Sequence, residues 1–371
     1  MKKSMNCRNI FILIVTLWVM INSNPTFAYI YQVVELGTLG GERSWAASIN
    51  DYGQIVGWSD DNTGNGRATL FDATGMGNNI DLGTLGGNGS NASSINNLGY
   101  IVGSASNFST MNATMFEATG GGNNLDLKSP GDVLSINNNN QMVGYSDNYR
   151  ATIFDNSGAG NNIYLGTLGG IESAAQSIND SGKIIGWSEN SLRQIRATLF
   201  DASGNGNNIE LGTLGGLESR AYSINNLNQI VGMADDIFGK GIATFFDSTG
   251  LGNNTSLGDL GGERSEALSI NNLGHIVGWS YNSLGDPRAV LFDPTGGDDN
   301  IDLNTLIDPE SGWILRAAYN INDNDLIVGW GHKIDDLENP RAFLLVPEPS
   351  SLICLSLGGL VLRRRKRNSQ S

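Results

Sequence analysis

The chain has 371 residues, with 22 Lys and Arg against 37 Asp and Glu and a net charge of −15. Such a field repels nucleic acid and anionic lipid, both of which require clustered Lys and Arg. The two cysteines, Cys7 and Cys354, sit at the ends, which removes disulfides, thiol catalysis and Cys-based metal sites from the body of the chain, and 50 glycines announce many tight turns.

The N-terminus has the layout of a secretory signal. Lys2, Lys3 and Arg8 form a basic region, Phe11 to Ile21 an apolar core, and Thr26-Phe27-Ala28 a small-residue cleavage site. Cleavage after Ala28 predicts a signal peptide over 1–28 and a mature start at Tyr29. An orphan strand, Ile30 to Leu36, follows.

A pattern then repeats seven times: Leu-Gly-Thr-Leu-Gly-Gly, Ala-x-Ser-Ile-Asn, Ile-Val-Gly-Trp, Arg-Ala-Thr-Leu-Phe-Asp, Gly-Asn-Asn-Ile-x-Leu. The triplet Ser-Ile-Asn starts at Ser48, Ser94, Ser135, Ser177, Ser223 and Ser269, with Asn320-Ile321-Asn322 as a variant. A fixed period of about 46 residues indicates a propeller or solenoid. Within the first unit, Ala46–Asn50 is a strand of small residues, and Asn50-Asp51-Tyr52-Gly53 suits a tight turn. Gln54–Trp58 and Arg67–Phe71 are largely apolar strands, and Ile80–Leu82 alternates. Four antiparallel strands per unit make a propeller blade, with the small strand innermost. The last unit stops at Arg341-Ala342-Phe343-Leu344-Leu345 without a fourth strand, which the orphan N-terminal strand supplies. The expected fold is therefore all-β, a seven-bladed β-propeller of four-stranded repeats over 29–346, its ring closed by the N-terminal strand. The third unit is degenerate, opening on Leu127-Lys128-Ser129-Pro130-Gly131 and carrying a shorter loop before Arg150.

The units resemble the HAF family of extracellular repeats, named for a His-Ala-Phe motif. Arg341-Ala342-Phe343 is the nearest match, with Arg67-Ala68-Thr69, Arg196-Ala197-Thr198 and Arg288-Ala289-Val290 alongside it, and the Ser-Ile-Asn-Asp-x-Gly-x-Ile-Val-Gly segment fits too. Arg, Asn or Ile stands where the motif has His, so no role of that His carries over. The resemblance implies an extracellular repeat protein and brings no reaction with it.

The C-terminal 347–371 resembles a PEP-CTERM sorting signal. Pro347-Glu348-Pro349 precedes an apolar stretch, Leu352 to Leu362, and the basic run Arg363-Arg364-Arg365-Lys366-Arg367. The resemblance implies an exosortase-type processing enzyme, transient inner-membrane anchoring and the cell surface of a Gram-negative-type bacterium. The apolar stretch is short for a durable span, which takes about 20 residues. Without the two ends the repeats keep 14 basic and 36 acidic residues, a net charge of −22.

Candidate chemistry falls in four places. The aromatic after Ile-Val-Gly, at Trp58, Trp187, Trp279 and Trp330, suits either sugar stacking or packing between blades; Tyr145, Ser104 and Met233 hold the position elsewhere. The turns opening at Asp72, Asp155, Asp201, Asp247 and Asp293 offer oxygens to Ca²⁺, but each brings one carboxylate and the same residues serve a hairpin. Arg67, Arg150, Arg196, Arg288 and Arg341 open the third strands, to pair with acidic polysaccharide or with nearby carboxylates. Catalysis is weakly marked. His275 and His332 stand alone, and the pairs Asp60-Asp61, Asp235-Asp236 and Asp335-Asp336 lie in variable loops, although a hydrolase or lyase acting on polysaccharide would use two such carboxylates. The expected function is a binding or structural module of an extracellular matrix, with polysaccharide as the ligand class, no cofactor, and the ligand on the face bearing the loops near Asp60, Asn107, Ser191, Asp236, Ser283 and Asp335.

Overall fold

A computed structural model describes residues 31–297 and 299–348, all in strands, turns and two 3₁₀ turns at Leu303–Leu306 and Pro309–Ser311. The expected processing positions Ala28 and Pro349, the signal core and the apolar segment Leu352 to Leu362 lie outside the described residues. Among the described residues no helix is long and apolar enough to cross a membrane.

The described residues are all-β, their strands forming five antiparallel sheets of four and one of seven. The first repeat unit contributes Gly40–Ile49, Ile55–Asp61, Gly66–Phe71 and Ile80–Asp81, paired in that order. The sheet of the last unit, Trp313–Ile321, Ile327–Lys333 and Asp336–Pro347, takes Tyr31–Glu35 as its fourth strand. Leu36 N continues that pairing to Ala342 O at 3.0 Å. The strand that the last unit lacks in sequence is thus supplied from the other end of the chain.

The seven-stranded sheet arises at the degenerate unit. Leu125–Ile136 is a single strand whose start pairs with Met111–Phe116 and whose end pairs with Met142–Ser146. In other units the Leu-Gly step turns the chain through a left-handed glycine, Gly37 at φ 68° and Gly83 at φ 81°. Lys128 holds that conformation at φ 58° without being glycine, helped by a bond from its N–H to Asp126 Oδ1 at 2.8 Å. With the glycine-rich turn deleted, the two strands run into each other.

The glycine of Ile-Val-Gly has a steric cause. A register shift in the first strand, between Ala46 and Ser48 in the first unit, makes that strand bulge toward its neighbour. A Cβ on Gly57 would lie 2.0 Å from Trp45 O, and the same holds for Gly103, Gly144, Gly186, Gly232, Gly278 and Gly329 at 1.9–2.0 Å from the facing carbonyl. No side chain fits there.

The core is distributed between units. Val56, Ala68 and Leu82 of the first unit pack on Ala92, Ile95, Ile101 and Phe116 of the second. Val328, Ala342 and Leu344 of the last pack on Ala46, Ile49, Ile55 and Phe71 of the first. Each such side chain taken out of water contributes about 1.5–3 kcal/mol, and no unit buries its apolar faces alone.

Three series of hydrogen bonds run from unit to unit through Ser-Ile-Asn. The Asn, only 4–5% exposed in every unit, accepts within its own turn, Asn50 Oδ1 from Tyr52 N and Gln54 N. Its Nδ2 donates to the carbonyl of the matching Asn in the next unit at 2.9–3.0 Å. Asn322 donates in the same way to Asn50 O at 2.9 Å, returning the series to its start. The following residue repeats the device, from Asp51 N to Asn97 Oδ1 at 2.9 Å through to Asp323 N to Asp51 Oδ1 at 3.0 Å. The Ser hydroxyl accepts from the next Ile N–H, as from Ile95 to Ser48 at 3.3 Å. Where the last unit has Asn320 for Ser, the longer side chain makes the same bond, Ile49 N to Asn320 Oδ1 at 3.1 Å. Residues Tyr31–Val346 form one compact unit.

Candidate functional site

The first strands of all seven units line one cavity of about 500 Å³, within the roughly 300–1,000 Å³ of small-molecule sites. The strands converge where the lining is small, at Ala47, Ser93 and the serines of Ser-Ile-Asn. The larger lining residues come from individual units. Trp45 and Trp58 belong to the first, Asn91 to the second, Leu134 to the third, Gln176 to the fourth, Tyr222 to the fifth, Leu268 to the sixth and Tyr319 to the last. A second, polar chamber of about 210 Å³ is lined by the Ser-Ile-Asn residues and shares several serines with the first.

The aromatic side is built by Trp45. Its ring lies 5.0 Å from Trp58, its cross-strand partner, and 5.3 Å edge-on from Trp330 of the last unit. Its indole Nε1 is buried without an acceptor. Of the four expected tryptophans, only Trp58 lines this cavity, and Trp330 reaches it through Trp45. Trp187 stands 6.2 Å from Tyr149. Trp279 donates from Nε1 to Glu266 Oε2 at 3.3 Å and lies 5.2 Å from Tyr281. The four therefore form no single stacking surface; two of them belong to other unit junctions.

Among the described residues no Asp, Glu, Lys, Arg or His lines the cavity. Two acids adjoin it: Ser93, on the wall, donates to Asp132 Oδ1 at 3.3 Å, and Glu266 is hydrogen-bonded to the lining Tyr222. Burial pushes the Asp132 carboxyl up to about 7, against bonds from Ser104 and Ser93 that pull it down. Burial raises the Tyr222 hydroxyl, and the negative charge of Glu266 adds to the shift. Glu266 itself is held by Arg264 at 2.6 Å. Burial also raises the Tyr319 hydroxyl. Both phenols stay neutral through the physiological range and present hydroxyls rather than charge.

The remaining sequence candidates are committed elsewhere. Asp72 Oδ1 accepts from Thr74 N and Oγ1, and Oδ2 from Asn78 N and Nδ2. These bonds, the Thr74 hydroxyl first, hold its carboxyl at about 2; Asp155 and Asp247 are lowered alike by their own turns. The second Asn of the turn is a link between units, Asn79 Nδ2 donating to Leu36 O at 2.8 Å. The turn oxygens offered to Ca²⁺ are thus occupied by the turn. The strand-opening arginines pair with carboxylates: Arg67 with Asp81 at 3.1 Å, Arg196 with Glu210 at 2.7 Å, Arg288 with Asp286 at 3.2 Å and Arg341 with Asp336 at 3.7 Å, while Arg150 lies over Tyr164. Among the loop acids, Asp60 binds Arg43 at 2.8 Å, and Asp61 and Asp236 accept backbone N–H groups of their own turns. His275 Nδ1 meets Asp325 Oδ1 at 2.6 Å, a bond that raises its pKa. His332 lies 5.4 Å edge-on from Trp330.

Trp45, Asn91, Gln176, Tyr222 and Tyr319 were not legible as site residues. Each occupies a first-strand position that varies between units, so the repeat pattern hides it; the one usable signal was register, which sets Trp45 opposite Trp58. No family model matches the chain. No curated protein matches it either.

Proposed function

We propose that this chain is a secreted, surface-sorted seven-bladed β-propeller, closed by its N-terminal strand, that serves as a ligand-binding module of an extracellular matrix. The carrying observation is the return of every inter-unit series to its start, Asn322 to Asn50, Asp323 to Asp51 and Ile49 to Asn320. An open solenoid has no reason to bond its last unit to its first. The pairing of Tyr31–Glu35 with the last unit supports the same closure and leaves the blades without a free edge there. In such a ring the first strands surround the axis, and the shared cavity is its channel.

Export and sorting rest on the N-terminal signal layout and the Pro347-Glu348-Pro349 segment with its basic tail. An exosortase-type enzyme would cut near that segment and release the repeats outside the cell. The repeat similarity to the HAF family agrees with an extracellular place. The ligand enters from the face that carries the loops near Asp60, Asn107, Ser191, Asp236, Ser283 and Asp335, where the second strands end and the wide aromatic part of the cavity begins.

The test is sedimentation of the full chain, freed of its membrane segment by its own processing enzyme, with polysaccharide matrix from the producing cells. Saturable co-sedimentation is expected. A protein that stays in the supernatant at every matrix concentration refutes the binding-module reading.

A further inference from the structure

We infer that the cavity shared by the seven first strands takes the end of a neutral, hydroxyl-rich sugar chain. This rests on the binding-module reading and names the ligand class of its site.

The lining excludes other chemistries in turn. A phosphate, sulfate or uronate requires a free cation: among the described residues none lines the wall, and Arg43, over the Trp58 ring at 5.8 Å, is already paired with Asp60 at 2.8 Å. A metal ion requires several hard oxygens in one place, whereas among the described residues no carboxylate lines the wall and the two adjoining ones are engaged, Asp132 by Ser93 and Glu266 by Arg264 at 2.6 Å. A purely apolar guest would leave the buried Trp45 Nε1 proton without a partner, and each buried polar group left unpaired costs about 1–3 kcal/mol.

What the wall offers is matched to a pyranose. Trp45 and Trp58 line the wall together, 5.0 Å apart and tilted by 50°, and aromatic rings pack against the C–H face of a sugar. Opposite them stand groups that both donate and accept, as sugar hydroxyls do. One group is both buried and unengaged: among the described residues the Trp45 Nε1 proton has no acceptor. Buried donors in folded proteins are almost always paired, so an unpaired indole on the cavity wall marks a place where a guest supplies the partner. The serines extend the polar wall: Ser94 Oγ accepts from Ile136 N and retains its own proton to donate. Beyond the serines that the two chambers share, the space falls from about 500 to about 210 Å³, a step that suits a chain end rather than the middle of a chain.

The experiment is titration of the full chain with short neutral oligosaccharides (glucans, galactans and mannans) and with uronate oligosaccharides of equal length, read by tryptophan emission. Two variants accompany the native protein. Ala47→Trp fills the cavity without removing a packing contact, and Trp58→Ala removes one stacking face; circular dichroism checks that each is folded. At least one neutral series should bind saturably with a shift in emission, and either variant should weaken it at least tenfold. Uronates should bind at least tenfold more weakly than their neutral counterparts. Neutral binding unchanged in both folded variants overturns the proposal, as does a preference for uronates or the absence of binding across the neutral panel. If Ala47→Trp loses the oligosaccharide but still co-sediments with whole matrix, the cavity assignment stands and the matrix contact lies elsewhere. If native protein binds matrix but no neutral oligosaccharide, the module reading stands and this inference falls.

Discussion

Asn322→Ala tests the closure most directly. The native side chain makes three bonds: Nδ2 to Asn50 O at 2.9 Å, and Oδ1 from Asn324 N and Leu326 N, each at 3.0 Å. It is 5% exposed, so water cannot replace them freely. Hydrogen bonds contribute about 0.5–1.5 kcal/mol each, and an orphaned buried partner costs about 1–3 kcal/mol. The variant should lose roughly 3–4 kcal/mol. Asn225→Ala is the internal control, because Asn225 bonds forward to Asn271 O at 2.9 Å and accepts from Leu227 N and Gln229 N in the same way, with one further bond from Nδ2 to Gln229 Oε1 at 2.7 Å. If the last unit is seated on the first, Asn322→Ala should cost less than Asn225→Ala by no more than that one bond, about 0.5–1.5 kcal/mol, measured by urea unfolding with unchanged m-value. If it is not, Asn322 loses only its own turn bonds. A cost for Asn322→Ala below half that of Asn225→Ala refutes the closure argument, whatever the absolute values.

Three further expectations follow from other parts of the fold. Gly57→Ala places a Cβ 2.0 Å from Trp45 O, against backbone that cannot yield cheaply, and should cost more than about 2 kcal/mol. Gly64→Ala, where nothing lies within 4 Å, should cost only the strain of φ +81° and unfold at nearly native denaturant; equal losses would discredit the bulge explanation. Asp132 has its folded pKa raised to about 7 from 3.8, so its contribution to stability is fully present below about pH 4 and lost as pH rises through 7. That difference amounts to at most about 4 kcal/mol. Asp132→Asn should therefore be more stable than the native chain at pH 8 and converge with it at pH 4, and a stability difference independent of pH would count against a buried carboxyl. Millimolar Ca²⁺ should leave the thermal midpoint where EDTA leaves it, because the turn carboxylates already accept from their own Thr, Ser and Asn; a rise of several degrees on adding Ca²⁺ would show that the ion displaces those bonds.

Much of the architecture was written in the sequence. Strand positions followed from β-branched pairs such as Ile55-Val56 and from turn residues such as Gly53, both local properties. The complementary ends, a spare strand before Leu36 and a missing one after Leu345, required only counting. The weak third unit was visible in its missing Leu-Gly-Thr-Leu-Gly-Gly, although its consequence, one strand spanning two units through Lys128, was not. The binding site was the least legible part. The tryptophans that repeat, Trp58, Trp187, Trp279 and Trp330, fall in the first, fourth, sixth and last units, because a residue recurring once per unit must be distributed over the fold. Residues that converge on the cavity are those that differ between units: Trp45, Asn91, Gln176, Tyr222 and Tyr319.

The Asn of Ser-Ile-Asn shows the same division. Sequence alone reads it as a turn former, and it is one, through its Oδ1. Its Nδ2, which reaches the neighbouring unit and in Asn322 reaches back across 272 positions to Asn50, acquires a partner only when the units are stacked. Local sequence determines strands and turns because they depend on backbone preferences a few residues apart. Which side chains meet is decided by how the units pack, since that contact joins residues the period keeps far apart along the chain.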